Sequence, residues 1–257
     1  MGPYLRAMTV SRLALGLALA ALMLAASPAA EAAGKRPVVV ELFTSQGCSS
    51  CPPADSILGH LADRRDVLAL TLPVTYWDML GWKDTLASDA DTRRQKSYAA
   101  AMGRGGVYTP QMIIDGVSDV VGSREQQVEQ AVTSREGDMV AIPVEMHLSH
   151  AELEIKVGAG DAGLNPNATI WLFHIMGRAS VAVGTGENGG RTLTYRNVVR
   201  DIKAVGMWKG QPVTLDLPRT ELTNAPHDAI AVVVQQNGYG RILGAAEINR
   251  TDYAIAW

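Results

Sequence analysis

The chain has 257 residues, 47% of them hydrophobic and 19% charged, with a formal net charge of −3. This is an ordinary globular composition, long enough for one large domain or two small ones. Near-neutral charge and 5% aromatic content give none of the basic striping that nucleic-acid partners require, so no nucleic acid is expected.

Arg6 and Arg12 precede an unbroken apolar run from Leu13 to Ala25, followed by small residues and an Ala30-Glu31-Ala32 cleavage pattern. The run is shorter than the roughly 20 residues of a membrane span, and residues 1–32 read as a cleavable secretory signal. No later stretch is long and apolar enough to cross a membrane. A periplasmic or secreted protein is expected, in a compartment where a disulfide persists.

Val38 to Phe43 reads as a strand buried on both faces. Glu41 interrupts it. An acid there is either at an edge in water or buried for a reason, and its place on the strand feeding the next motif favours the second. That motif is Cys48-Ser49-Ser50-Cys51, the only two cysteines of the chain. A strand that hands over a C-x-x-C pair just before a helical pattern is the sequence form of a redox site. Two other uses compete. A structural disulfide closing so short a loop stabilises by about 2 kcal/mol, against about 3 for a fifteen-residue loop. A zinc site usually takes four ligands, and none is expected here.

Ile57, Leu58 and Leu61 space a short helix from about Ala54 to the 63–66 region. Pro52 and Pro53 push Cys51 and Pro52 toward extended geometry, so the helix is expected to start late and to contribute a weakened dipole at Cys48. Val67 to Val74 is a second buried strand. Tyr76 to Asp84, with Trp77 and Trp82, forms a loop that is either a packed cap or a substrate-facing surface. A helix from Ala87 to Met102 ends at Gly103-Arg104-Gly105-Gly106. Tyr108-Thr109-Pro110 then leads into an apolar strand; a proline there suits an edge or a cis bond. Asp115-Gly116 is a hairpin signal, with Val117 to Val121 returning. Ser123-Arg124-Glu125-Gln126 is a capping box for a helix to about Arg135.

The order strand, helix, strand, helix, strand, strand, helix resembles the thioredoxin superfamily. Val40-Glu41-Leu42-Phe43 with its C-x-x-C resembles that superfamily's strand with a buried acid, and Thr109-Pro110 its cis-proline turn. More narrowly, Glu41 to Cys48, the Cys-Pro-Pro-Ala-Asp continuation, and Tyr76-Trp77-Asp78 to Gly81-Trp82-Lys83-Asp84 resemble an uncharacterised family of exported bacterial proteins, the domain of unknown function 1223. Thioredoxin itself has a tryptophan before the first cysteine and Gly-Pro between the two, which this chain lacks.

From about Val140 the texture changes. Segments such as 145–148, 153–157, 169–176, 192–199, 213–217 and 229–236 alternate between Gly, Asn and Pro turns, the spacing of an all-β sandwich or barrel. The expected organisation is a thioredoxin-like α/β domain over 36–137, a mixed sheet flanked by helices, and an all-β sandwich-like domain over 140–257. The boundary is expected at 136–138. Gly184-Thr185-Gly186-Glu187-Asn188-Gly189 matches G-x-G-x-x-G, but Thr192 to Tyr195 alternates like a strand where a dinucleotide site needs a helix. A hairpin loop is expected, and 186–188 with 195–197 are placed to touch the redox site. His60, His147, His150, His174 and His227 are scattered.

The resemblance implies a thiol–disulfide oxidoreductase or redox protein acting on protein or peptide thiols, with no cofactor. Cys48 is expected to be the exposed attacking thiolate and Cys51 the resolving thiol. Glu41 is expected beneath them as proton acceptor. Thr109 and Pro110, flanked by Tyr108 and Trp77, are the expected substrate-binding residues. The alternatives are a copper(I)-binding protein using two soft thiolates, and a non-catalytic adaptor whose β domain binds a partner. Proline after the second cysteine resembles thioredoxin-like copper chaperones; their three-residue cysteine spacing and distant histidine differ.

Overall fold

Strands β1 (Val38–Thr44) and β2 (Val67–Pro73) are buried along their whole length, which is why both appear in the sequence as apolar runs rather than alternations. A computed structural model describes residues 36–137, 142–160, 165–222 and 227–249. The expected signal segment 1–32 and position 138 of the expected boundary lie outside them.

Helix α1 (Pro52–Leu61) joins the two strands and starts two residues earlier than expected. Pro52 and Pro53 take its first positions, where a missing N–H costs nothing, and Cys51 adopts helical angles of φ −80° and ψ −36°. Helix α2 (Asp89–Ala101) is capped by Ser88, whose hydroxyl accepts from the Asp91 amide at 3.1 Å. Strands β3 (Gln111–Ile114) and β4 (Ser118–Val121) form the expected hairpin. Asp115 and Gly116 turn it at φ 51° and 72°, the region Asp-Gly pairs tolerate. The expected capping box does not form. Helix α3 (Glu125–Thr133) begins after Arg124, one residue later than a Ser123 cap requires.

The second half contributes β5 (Val144–Leu148), β6 (Glu152–Val157), β7 (Ala168–Ala182), β8 (Thr192–Trp208), β9 (Val213–Pro218), β10 (Ala229–Gln236) and β11 (Ile242–Asn249). Strands β7 and β8 run far beyond the expected segments. Strand β11 falls outside them, because Gly244-Ala245-Ala246 breaks the alternation on which they rest. Among the described residues the strands form an eight-stranded mixed sheet in the order β11-β10-β7-β8-β2-β1-β3-β4, and a three-stranded antiparallel sheet β5-β6-β9.

The two expected domains share the large sheet. Strand β2 meets β8 in parallel at Thr71 and Val198. The seam is short and reinforced by side chains: the Thr71 hydroxyl donates to the Arg196 carbonyl at 2.6 Å, and the Asn197 amide to the Ala69 carbonyl at 3.0 Å. One face of the sheet, through Val38, Val40, Leu42 and Ala69, packs against Leu58 and Leu61 of α1 and Val128 and Val132 of α3. The three-stranded sheet covers the same face further along, Leu153 and Ile155 meeting Ile170, Leu172 and Val232. The opposite face, through Val39, Phe43, Leu70, Phe173 and Val233, receives Tyr98 of α2. Among the described residues no helix is long and apolar enough to cross a membrane.

Alternation along β1 puts Glu41 on the α2 face, fully buried. Arg94 pairs with it through both Nε and Nη2, and the Tyr98 hydroxyl donates to it. Arg94 Nη2 also donates to Tyr98 Oη and to Gln235 Oε1 of β10, at 3.1 and 3.0 Å. Burial opposes the guanidinium charge, but Glu41, with Tyr98 and Tyr239, outweighs this and holds Arg94 protonated above its ordinary value. Removing one member leaves a buried uncompensated charge. Arg94→Leu is expected to cost about 3–5 kcal/mol in urea unfolding, and adding Glu41→Leu to recover much of that loss. A double variant no more stable than Arg94→Leu counts against this account.

Candidate functional site

At the end of β1 the chain turns tightly. The Cys48 amide donates to the Ser45 carbonyl at 3.1 Å, and the Cys51 amide to the Cys48 carbonyl at 3.2 Å. The two cysteines form a disulfide with Cα atoms 5.4 Å apart. The Cys51 carbonyl then accepts from the Ala54 and Asp55 amides, at 2.8 and 3.1 Å. Because Pro52 and Pro53 carry no N–H, the start of α1 has no free amide to offer a thiolate. The Ser50 hydroxyl does reach the sulfur: its Oγ lies 3.4 Å from Cys48 Sγ, and the disulfide sulfur is the acceptor.

Cys48 is fully buried, as is Cys51, while Ser49 and Ser50 beside them are exposed. The expectation of an exposed Cys48 is therefore corrected, and a segment far along the chain is bonded to the turn. The tip of the β7–β8 hairpin, 183–191, folds over the turn. Asn188, itself fully buried, donates from Nδ2 to the carbonyls of Gln46 and Cys48 at 3.0 and 2.9 Å. The Glu187 carboxylate accepts from the Ser49 amide at 2.9 Å, and hydrogen bonding from the Ser49 side chain and then its amide holds its carboxyl below the ordinary value. The expected contact of 186–188 with the cysteine turn is present.

Trp77 and Trp82 wall the turn. A Cβ on Gly47 would stand 3.1 Å from Trp77 Cβ, so only glycine lets the chain pass there without displacement. Trp77 Nε1 donates to Thr109 Oγ1 at 2.9 Å, and Trp82 Nε1 to Gln46 Oε1 at 2.8 Å. The Thr109–Pro110 bond is cis, as expected. Gln111 pairs with Phe43 in antiparallel register, so Pro110 lies at the same end of the sheet as the cysteine turn. Tyr108 faces elsewhere: its hydroxyl donates to Asp119, and its carbonyl accepts from Gln95 Nε2 at 2.7 Å. Glu41 is bonded to Arg94 and Tyr98 on the face opposite α1, because a residue one step along a strand changes sides. The proton acceptor expected beneath the cysteines is not supplied by Glu41's bonds.

A different carboxylate stands on the α1 side. Asp55 follows Cys51 by four residues, the helical spacing that puts two side chains on one face about 5–6 Å apart. It is 7% exposed. Its Oδ1 accepts from Thr44 Oγ1 at 2.7 Å, while Oδ2 is buried with no hydrogen-bond partner among the described residues. Burial raises its pKa to about 8, the Thr44 bond opposing this and the Asp84 charge adding to it. Asp84 accepts from the amides of Gln46, Leu86 and Ala87 at 2.7, 2.9 and 3.1 Å, yet burial still raises its carboxyl. Tyr195 of β8 is buried beside them, its phenol pushed up by burial and then by Asp55 and Asp84. The sequence signal for Asp55 is its i+4 spacing from Cys51, masked by the two prolines between them.

Among the described residues no group of three or more His, Cys, Asp or Glu side chains is placed to hold a metal ion. His174 is buried in β7 with Nε2 at 3.1 Å from the Glu221 carbonyl, and His147 is exposed on β5.

The family model described as a protein of unknown function (DUF1223) matches residues 39–235, and the chain belongs to this family. A crystal structure of an Agrobacterium tumefaciens protein is similar at 36% identity and TM-score 0.73, covering 83% of this chain and 94% of that one. HBP35 of Porphyromonas gingivalis shares the fold at 13% identity and TM-score 0.55, covering 84% of this chain and 75% of that one. No curated protein matches.

Asp55 sets a pH dependence of stability. A carboxyl whose folded pKa is raised contributes fully below its unfolded value of 3.8, and the contribution is lost as pH rises toward about 8. Asp55→Asn removes that loss. Relative to the wild type the variant should gain stability through this window, by at most about 1.4 kcal/mol per pH unit. Thermal unfolding from pH 4 to 9 reads the difference; parallel curves would show that Asp55 titrates normally.

Proposed function

We propose that the protein is an exported, thioredoxin-like thiol–disulfide oxidoreductase acting on protein or peptide thiols. The observation that carries this reading is the Cys48–Cys51 disulfide at the junction of β1 and α1, with a half-bonded buried carboxylate one helical turn beyond Cys51. Such an arrangement is unnecessary for a staple and useful for exchange. The apolar leader 1–32 supports the exported setting.

In the reducing direction the Cys48 thiolate attacks a substrate disulfide. A Cys48–substrate bond forms, and the first substrate sulfur leaves as a thiolate. Cys51 then gives its proton to Asp55 in its ionised form and attacks the Cys48 sulfur. The Cys48–Cys51 bond forms, the second substrate sulfur leaves as a thiolate, and water protonates both leaving thiolates. A carboxyl raised to about 8 is matched to a thiol, which is where proton transfer at neutral pH is most effective. Ser50 donates to the Cys48 sulfur in place of the missing helix amides. Thr109 and Pro110, joined to the turn through Trp77, present backbone to an extended substrate peptide. Reduction potential sets the direction, since 30 mV corresponds to about 1.4 kcal/mol.

Insulin reduction and cysteine-peptide oxidation test this. Cys48→Ser should abolish both, and Cys51→Ser should accumulate a mixed disulfide. Asp55→Asn should slow resolution above neutral pH by about 10- to 100-fold, while Glu41→Gln leaves it unchanged. Wild type that turns over no protein disulfide sinks the function. Equal pH profiles for Asp55→Asn and wild type sink only the role of Asp55.

A further inference from the structure

The glycine-rich segment 184–189 has no place in the exchange chemistry, yet it is bonded to the backbone on both sides of buried Cys48. Its contacts with the cysteine turn are those a bound peptide would make. The Asn188 side-chain amide donates to the Gln46 and Cys48 carbonyls, and the Glu187 carboxylate accepts from the Ser49 amide. An amide donor and a carbonyl-like acceptor facing one stretch of backbone are the groups an extended chain presents.

The tip is also held so that this imitation is correctly oriented. Arg191 Nη1 donates to Asn188 Oδ1 at 2.7 Å, which fixes the amide with its nitrogen toward the two carbonyls. Thr185 Oγ1 donates to the Gly81 carbonyl at 2.6 Å. A Cβ on Gly184 would stand 3.0 Å from the Trp82 ring, and Gly186 sits at φ +77° with Trp82 Cβ 3.3 Å from its Cβ position. The glycines let the tip lie flat on Trp82, which itself bonds Gln46.

We propose that the hairpin tip 183–191 is a built-in pseudosubstrate that must be displaced before Cys48 can react. The backbone it covers, at Gln46, Cys48 and Ser49, is then the docking edge for an extended peptide segment of the partner thiol protein. This rests on the oxidoreductase reading for the partner's identity, but not for the displacement.

Two measurements test it. Reduction of the disulfide by dithiothreitol, followed by alkylation and mass, requires only access to sulfur. Asn188→Ala should be reduced about tenfold faster than wild type, the shift produced by losing roughly one net hydrogen bond. Arg191→Gln should lie between them. If Asn188→Ala unfolds at lower urea, Thr185→Val serves instead, since it releases the tip without touching the cysteine turn. Rates equal to wild type in every variant that keeps its urea midpoint overturn the proposal.

The second measurement uses Cys51→Ser carrying glutathione on Cys48. The amides of Val183, Gly189, Gly190 and Arg191, which are bonded within the tip, should exchange faster by hydrogen exchange than in the unmodified variant. Unchanged protection with glutathione in place would show that substrate and tip do not compete, and overturns the docking edge. A wild type that fails to reduce insulin, with Asn188→Ala still reduced faster, would remove the enzymatic reading and keep the displacement.

Discussion

A carboxylate in the middle of a fully buried strand has to be answered by a cation, and most of this fold follows from where that cation comes from. Arg94 reaches Glu41 from α2 and in the same stroke bonds Tyr98 and Gln235. The group therefore ties the first strand, the helix across its face and a strand from the far end of the sheet into one desolvated network. Four aromatic rings, Tyr98, Trp171, Phe173 and Tyr239, stand within 5.1–5.5 Å of the guanidinium. Such a group is costly to bury and costlier to break, which makes it a device for fixing one arrangement of β1, α2 and β10 rather than a source of net stability.

With the charge settled on the α2 face, the other face of β1 is left for α1, and the cysteine turn comes out at its open end. Two carboxylates thus serve different ends. Glu41 is neutralised by an ion pair, whereas Asp55 has only the Thr44 hydroxyl as hydrogen-bond partner, and burial raises its pKa to about 8. The contrast follows from partners rather than from depth, since both side chains are almost wholly withdrawn from water.

Much of this was legible in the residues. The apolar runs of β1 and β2, the C-x-x-C after the first, the Asp115-Gly116 hairpin and the proline before β3 are local patterns with local causes. What escaped was decided at long range. Nothing near Glu41 announces Arg94, and although 186–188 was expected at the cysteine turn, nothing near Cys48 announces that it is buried there. The helix start was misjudged because the bias that proline imposes on its predecessor lost to the ease with which proline opens a helix. The expected sandwich segments were found, but strand pairing that carries them into the first half's sheet leaves no mark on alternation. The G-x-G-x-x-G pattern is followed by strand β8, as the alternation of Thr192 to Tyr195 implies, and not by a helix.

The seam between β2 and β8 bears on how the chain can be divided. It consists of one register pair and two side-chain bonds, yet it closes the flank of a strand that is buried throughout. A fragment ending near residue 137 would carry β2 as a bare edge, Leu68 to Leu72 with unpaired backbone groups, the kind of surface on which chains stack into aggregates. The later half is thus a chaperoning flank for the earlier one, and any truncation of this chain has to supply a replacement for β8 before its cysteine turn can be studied alone.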